Sequence, residues 1–465
     1  MRLKLALLAA KFTAFMLKVF GRLLHFNGTY FPGKVALKIC PDFLKRVAKP
    51  KTVIAVTGTD GKTTTCNLLS DALEKCGMKV LNNRFGSNVY EGVVAAFLSG
   101  ATLSNRCPYD IAVIEIDERS SHKIYPSLKP DYLVVTNLFR DSMKRNAHPE
   151  FIYNFIDKAV PEGCTLIQNA DDSISMRLGE GHKKVYFGID KLPSDHEAEF
   201  NIINDARICP KCHHKLSYDV VRYHHVGRVH CDHCGFKTPE PDYEVTRIDW
   251  EGGVMNVRHN GENMVYPLIS DTIHNTYNEL TVITMMSELG IDAEKIRETV
   301  GSLEVTKTRY NHIKVGDVDL VTSIAKGQNA VACSIVFNYV ASKPGRKEIL
   351  LLIEDHGDNQ HSYENTAWLY DCDFEFLNDE KIERIVIGGK FSPDIALRLR
   401  LAGVPAEKIF TELDPMETAK DLSYEKDKTV YLLYDIYQQV TTDAVVKRIT
   451  EIAKAGQKGG SHGES

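Results

Sequence analysis

The chain lacks an uninterrupted apolar run of the kind that crosses a bilayer, which needs about 20 nearly uncharged residues. The nearest candidate, residues 3–24 (LKLALLAAKFTAFMLKVFGRLL), is broken by Lys4, Lys11, Lys18 and Arg22. It does not read as a secretory signal either, because Lys11 splits the apolar stretch and no small-residue cleavage site follows. The lysines recur every seven residues, so they fall on one helical face and leave Leu, Phe and Val over the rest. Two readings stay open for this segment: a helix packed on the main body, or a basic amphipathic helix lying on an anionic membrane surface. An excess of one charge is also missing. The formal net charge of 465 residues is −5, which provides no general argument for nucleic-acid binding. A disulfide framework is absent too. The cysteine count, 11, is odd, and Cys40, Cys66, Cys76, Cys107, Cys164, Cys333 and Cys372 follow no pattern, as expected of reduced thiols in a cytoplasmic protein. There is no internal repeat.

What is present divides the chain. Its length exceeds a single compact core, so two or three domains are expected. Residues 25–50 carry loop signals around a short helix. TVIAVTG (52–58) is a β-branched apolar run ending in Gly, the mark of a buried parallel strand. TTTCNLLSDALEKCG (63–77) has helical spacing and a Gly stop. KVLNN (79–83), DIAVIEID (110–117) and DYLVVTN (131–137) are further strands, with a helix over 90–100. Strand, loop and helix in alternation predict a doubly wound α/β domain. The pattern breaks over 201–245, which is rich in Cys, His and Pro, and helical spacing returns at 278–291. A second α/β pattern starts near 311, with a hairpin over 312–324 turning at Gly316-Asp317 and apolar strands at 348–354, 384–389 and 429–435. The expected division is an amphipathic helix and linker over 1–50, a central α/β domain over 51–310 interrupted by the 201–245 insertion, a smaller Rossmann-like α/β domain over 311–455, and a disordered tail over 456–465.

The segment TVIAVTGTDGKTTT (52–65) runs a strand into a Gly-rich turn, a Lys-Thr pair and a helix. Glycines let backbone N–H groups close around phosphate oxygens, and the helix N-terminus adds its positive end. Lys62 is placed to neutralise terminal phosphates and Thr63 to ligate Mg²⁺. Val56 stands where the longer Walker pattern has its first Gly, so this is the shortened form G-x-x-G-K-T. Beside such a loop a strand ending in carboxylates should hold the metal. In VIEIDE (113–118), Glu115 and Asp117 alternate with Ile114 and Ile116, which predicts that both acids face one side; Glu115 is the preferred Mg²⁺ ligand.

Cys209-Pro-Lys-Cys212 and Cys231-Asp-His-Cys234 are two C-x-x-C knuckles separated by 18 residues, within the zinc-ribbon range. Four thiolates leave no open coordination position, so the expected Zn²⁺ is structural. His213, His214, His224, His225, His230 and His233 crowd the insertion and read as surface residues or alternative ligands.

TGTDGKTTT (57–65), NADD (169–172) and HNTYN (274–278) together resemble the central domain of Mur ligases. With the four-cysteine insertion and WLYDCDFEFL (368–377), the chain is similar to the MurT type, found in lipid II isoglutaminyl synthase. The resemblance implies a Mur ligase-type central P-loop ATPase domain with a four-cysteine zinc-ribbon insertion, followed by the smaller C-terminal domain. It implies activation of a carboxylate by ATP and attack of an amine on the acyl phosphate. The acceptor would be the D-glutamate carboxyl of the lipid II stem peptide, and the amine would be ammonia from a GatD-like glutamine amidotransferase partner in a heterodimer. By resemblance, Gly58, Thr59, Asp60, Gly61, Lys62, Thr63 and Thr64 surround the phosphates. Asn169, Asn275 and Asn278 lie around the nucleotide, and Thr63 and Glu115 hold Mg²⁺. Only about 50 residues precede the loop, too few for the UDP-binding domain of Mur ligases that use soluble nucleotide substrates, as expected for a lipid-linked substrate at the inner face of the membrane.

Four positions depart from the family pattern. Asp60 replaces the usual Asn. The Asn-Pro-Ala-Gly segment becomes AKGQNAV (325–331). An Arg-Asp-Gln-x-Asp-Arg-Tyr run becomes RDSMKRN (140–146). The catalytic Asp three residues before the C-terminal Trp becomes Asn365 before Trp368, and an amide neither acts as a base nor carries negative charge; Asp355, Asp358, His361 and Glu364 are substitutes within reach in sequence. These changes keep two alternatives in play: a Mur-type ligase joining an amino acid to another carboxylate, and a catalytically impaired nucleotide-binding scaffold.

Overall fold

The computed structural model describes the chain except residues 25–29, 85, 142–147, 197–199, 304–309, 316–317, 328, 354–365 and 461–465. Two compact units form, the first from Met1–Phe139, His148–Phe200 and Asn204–Val305, the second from Arg140–Ala147, Asn201–Ile203 and Thr306–Ser465.

The strands of the first unit are β1 (Thr52–Thr57), β2 (Val80–Asn82), β3 (Ile111–Glu115), β4 (Tyr132–Val135), β5 (Thr165–Asn169), β6 (Lys184–Ile189), β7 (Ser217–Tyr223), β8 (Val226–His230), β9 (Tyr243–Asp249), β10 (Val254–His259) and β11 (Glu262–Pro267). Among the described residues a nine-stranded sheet runs β11-β10-β9-β6-β5-β4-β1-β3-β2, parallel from β9 to β2, with β9, β10 and β11 an antiparallel meander at one edge. The helices of this unit are α1 (Arg2–Leu24), α2 (Phe31–Ile39), α3 (Phe43–Arg46), α4 (Lys62–Lys75), α5 (Tyr90–Gly100), α6 (Ser121–Leu128), α7 (Pro149–Asp157), α8 (Ile273–Glu288) and α9 (Ala293–Gly301).

Strand β1 explains its own composition: Val53 to Thr57 are all buried, so no position favours a polar residue on either face. It lies between β3 and β4, and the chain winds in opposite directions from it. The C-terminal end of β1 is therefore the crevice where an open α/β sheet receives ligands. Residues 25–50 hold two helices, α2 and α3, rather than one. Ala6, Leu7 and Ala10 of α1, Ala36 of α2, Phe43 and Leu44 of α3 and Val93, Val94 and Phe97 of α5 share one buried cluster.

Among the described residues, strands β7 and β8 form a separate two-stranded sheet. The insertion is shorter than 201–245 at both ends. Asn201–Ile203 belongs to the second unit, because Asp373 accepts from Ile202 N at 2.6 Å and Asn201 Nδ2 at 2.9 Å. At the other end, Tyr243–Asp249 has already returned to the main sheet as β9.

The second unit holds β12 (Tyr310–Val315), β13 (Val318–Ile324), β14 (Arg346–Leu352), β15 (Ile382–Gly388), β16 (Ile409–Glu412) and β17 (Lys428–Tyr434), with α10 (Ala330–Ser342), α11 (Ser392–Leu401) and α12 (Gln439–Gly460). Its sheet runs β12-β13-β17-β14-β15-β16, parallel except for the β12–β13 hairpin. Val315 pairs with Val318, and the expected turn residues Gly316 and Asp317 lie outside the described residues. The tail expected to lack structure from 456 begins as helix, since α12 continues to Gly460 although Gly456, Gly459 and Gly460 are poor helix formers.

Candidate functional site

The phosphate loop is built by three strand ends. Register places Glu115 of β3 beside Val56 and Val135 of β4 beside Thr57, so all three strands finish at the same level. The residues after β4 clamp the loop from one side. Thr59 N donates to Asn137 O at 2.9 Å, Asp60 N to Asn137 Oδ1 at 2.9 Å and Thr136 Oγ1 to Asp60 O at 2.7 Å. Gly58 (φ 130°) and Gly61 (φ 82°) adopt backbone angles that L side chains avoid, and Gly61 caps α4. A Cβ at Gly58 would collide with Thr136 Oγ1, and one at Gly61 with Asn278 Oδ1. The loop is thus a cradle that only glycine leaves open.

Lys62 opens α4. Its Nζ lies 2.7 Å from Glu118 Oε1 and also donates to the carbonyls of Gly58 and of Thr59 (3.0 Å). Burial works to lower the Lys62 pKa, but the Glu118 carboxylate, helped by Glu115 and Asp60, outweighs it and raises it. Burial raises the Glu118 carboxyl in turn, against the pull of Lys62. Thr63 Oγ1 donates to Glu115 Oε2 at 2.9 Å, and Asn88 Nδ2 donates to Glu115 Oε1 at 2.9 Å. Asn83 closes the arrangement: its Oδ1 accepts from Glu115 N and its Nδ2 donates to Glu115 O. A hydroxyl and a carboxylate side by side at a strand end form the hard oxygen donor set that suits Mg²⁺.

Strand β3 stops at Glu115, so the two-residue alternation does not reach 117; Asp117 instead caps the short 3₁₀ turn Glu118–Ser120 by accepting from Arg119 N at 3.1 Å. The acid that meets Lys62 is Glu118, which the alternation argument missed. The only signal for it was a third carboxylate in VIEIDE.

Asn275 and Asn278 sit on the first two turns of α8, where Thr272 caps the helix. Asn278 Oδ1 accepts from Thr65 Oγ1 at 3.2 Å, and its Nδ2 donates to Asn275 Oδ1 at 3.2 Å. Asn278 therefore stands against the glycine loop, and Asn275 braces it from behind. Asn169 ends β5 fully buried, with its amide donating to Thr136 O and its Oδ1 accepting from Asp171 N. Its side chain is engaged in holding the Asn169–Asp172 turn. Thr59 Oγ1 accepts from Phe139 N at 2.9 Å and donates to Phe139 O at 3.1 Å. Asn365, Asp355, Asp358, His361 and Glu364 lie outside the described residues. In the second unit Trp368 is buried, and Arg398 donates to the carbonyls of Leu369 and Cys372 and to Glu375, fixing the turn that follows.

The four cysteines of the insertion converge. Their sulfurs lie within 4.8 Å of one another, with Cys209 Sγ to Cys234 Sγ and Cys212 Sγ to Cys231 Sγ both 3.5 Å. Sulfurs about 3.8 Å apart are what a tetrahedron of about 2.3 Å metal–sulfur bonds requires. The group could hold a metal ion, and no disulfide joins any of the four. Two histidines of the insertion depart from the expected surface position: His224 and His225 are buried. They form the turn of the β7–β8 hairpin, which packs into the NADD segment, where His225 Nε2 meets Asp172 Oδ1 at 3.1 Å and its ring lies on Phe139. His214 and His233 remain exposed and stack on each other beside Cys212.

Residues 56–209 match the family described as Mur ligase middle domain, and residues 327–437 match MurT ligase C-terminal. Among solved structures, a pseudomurein peptide ligase type C from Methanothermus fervidus has the same fold (TM-score 0.66, 21% identity, 88% of this chain and 81% of that one). MurF from Acinetobacter baumannii shares it as well (TM-score 0.63, 15% identity, 90% and 80%). Fold and phosphate loop define an enzyme of the Mur ligase class, a class that uses ATP and Mg²⁺. The lipid II isoglutaminyl synthase (glutamine-hydrolyzing) subunit MurT of Staphylococcus aureus (strain COL) is 31% identical over 402 residues, 86% of this chain and 89% of the relative. The MurT subunit of Streptococcus pneumoniae is 30% identical over 438 residues, 92% and 93%. The chain belongs to the MurT family of Mur ligases.

Proposed function

We propose that the protein is the ATP-dependent ligase subunit that amidates the D-glutamate carboxyl of the lipid II stem peptide, with ammonia delivered by a GatD-like glutaminase subunit. The carrying observation is the cluster at the end of β1, where a glycine cradle, the Lys62–Glu118 pair and the Thr63–Glu115–Asn88 arrangement meet. Likeness to MurT subunits along about nine-tenths of both chains supports the choice of acceptor and partner.

In this reading Gly58 to Thr64 enclose the phosphates of ATP, and Lys62 neutralises the charge that accumulates on the transferred phosphoryl group. Thr63 and Glu115 hold Mg²⁺, which supplies charge neutralisation at the phosphates when bound. A carboxylate oxygen of the substrate forms a bond to the terminal phosphorus as ADP leaves. Ammonia then attacks the acyl carbon, inorganic phosphate departs and the ammonium intermediate loses a proton, leaving the primary amide. Asn275 and Asn278 brace the loop and present amide groups toward the nucleotide. Asn365 takes the position that the family gives to an acid for the amine step. The Cys209, Cys212, Cys231 and Cys234 group binds Zn²⁺ with a structural role, its donor set being all thiolate with no open position. The protein works in the cytoplasm, at the inner face of the membrane that carries its acceptor.

The test uses purified protein with Mg-ATP, a lipid II-type muropeptide and ammonium chloride, which replaces the glutaminase. ADP release with an amidated product is expected. ATP binding with no ADP release would instead favour the scaffold reading.

A further inference from the structure

Helix α1 has two apolar faces. Ala6, Leu7 and Ala10 are buried in the first unit's core. On the opposite side Leu5, Leu8, Phe12, Phe15 and Val19 follow one another at intervals of three and four residues, which keeps them on a single stripe. All five are exposed, Phe12 by 64% and Phe15 by 62%. Because the inner face fixes the helix, the outer stripe cannot turn inward, and a contiguous apolar stripe with two phenyl rings left in water marks an interaction surface. Lys4, Lys11 and Lys18 run along one border of the stripe; Lys11 leans back, its ammonium 3.4 Å from Ser99 O.

Charge identifies what the stripe meets. Residues 1–41 contain seven Lys and Arg and no acid, the first being Asp42. Subtracting +7 from the formal net charge of −5 leaves −12 for residues 42–465. Positive charge is concentrated on the segment that bears the stripe. A second copy of the chain docked there would bring two lysine rows together with no acid to offset them. An anionic lipid surface takes up the phenyl rings and offers the opposite charge to the lysines. No helix among the described residues is long and apolar enough to cross a membrane, so the contact is along the interface.

We infer that the outer stripe of α1 docks the protein on an anionic bilayer, with Phe12 and Phe15 inserted among the acyl chains and the lysine row at the headgroups. The need for such a contact rests on the reading of a lipid-linked acceptor; the surface itself does not.

The full chain should sediment with vesicles of phosphatidylglycerol and phosphatidylcholine, less with phosphatidylcholine alone, and less again at high salt. Phe12→Glu with Phe15→Glu should weaken binding at least tenfold with unchanged melting, since both side chains are exposed. Lys4→Glu with Lys18→Glu should remove the preference for phosphatidylglycerol. The vesicles contain no lipid II and the readout needs no turnover, so failure here is separate from failure of the ligase reading. Absence of vesicle binding would overturn the inference. So would binding indifferent to the Phe substitutions. A dimer that those substitutions dissolve, without vesicle binding, would assign the stripe to a second copy and overturn it as well.

Discussion

The ammonium of Lys62 is held 2.7 Å from the carboxylate of Glu118, with Glu118 buried and the Lys62 side chain only 14% exposed. A buried ion pair is costly to break from one side, by about 3–5 kcal/mol, because the remaining charge has no partner. Lys62→Met and Glu118→Gln should each lower the denaturation midpoint, and the double variant should be more stable than the sum of the two losses predicts. Turnover behaves differently: every variant lacking Lys62 should lose at least about a hundredfold through missing charge stabilisation. A thermodynamic cycle that is strictly additive would refute the coupling.

Gly61→Ala tests the cradle. The substitution forces an L residue into φ 82° and drives a methyl into Asn278 Oδ1. A stability loss of about 1–3 kcal/mol is expected, with a weaker affinity for ATP in isothermal titration. Gly77→Ala, also at positive φ but with open space around it, should cost stability and leave ATP affinity alone.

Arg222 ties the insertion to two distant motifs. It donates to Asp171 at 2.9 Å and to Asp195 at 2.8 Å, and Tyr277 donates to the same Asp171 oxygen at 2.6 Å. Burial pushes the Asp171 carboxyl up while Arg222 draws it down, so loss of the guanidinium takes the paired charge from two buried carboxylates. Arg222→Met should destabilise by about 3–5 kcal/mol in urea titrations, whereas Tyr277→Phe should cost about 1–3 kcal/mol as one hydrogen bond to a buried charge is lost.

Glu279 sets a pH dependence. Burial within α8 pushes its carboxyl up to about 8 from 4.5, and among the described residues only Ile269 N donates to it, at 3.1 Å. An acid with a raised folded pKa favours the fold while protonated. Its contribution is complete below about pH 4.5 and is lost as pH rises through about 8, a change on the order of a few kcal/mol. Glu279→Gln should flatten the decline in stability between these values and be more stable than the parent above pH 8. An unchanged slope would place the ionisation elsewhere.

Metal removal tests the insertion. One Zn²⁺ per chain is expected by elemental analysis, and Cys209→Ser should lose it together with the packing of Leu216, Val229 and Phe236 around the knuckles. A metal-free parent protein would end the assignment.

Much of the phosphate loop was legible because its physics is local. Strand, glycines, Lys62 and Thr63 adjoin in sequence, and a left-handed turn demands glycine wherever it occurs. The cysteine knuckles were legible for the same reason, since two C-x-x-C turns bring four sulfurs together with little help from the rest of the fold. Glu115 was found by strand alternation, but nothing local announces that β3 stops at Glu115 and that Glu118 is the acid that meets Lys62. His224 and His225 look like surface histidines until the hairpin carrying them meets Asp172, 53 residues earlier.

The sequence by itself determined the local pieces of the candidate site: the glycine loop that opens α4, the four cysteines that could hold a metal ion, and the order of motifs shared with the family. These follow from short-range spacing and from residue types that have few substitutes. Only the tertiary structure decided partnership. It chose Glu118 over Asp117 for Lys62, bound Asp171 to Arg222 and Tyr277, committed Asn169 to its own turn, and split α1 into an inner and an outer apolar face. Each of those outcomes depends on where a strand ends or which distant surface a side chain meets, and burial alone fixes that.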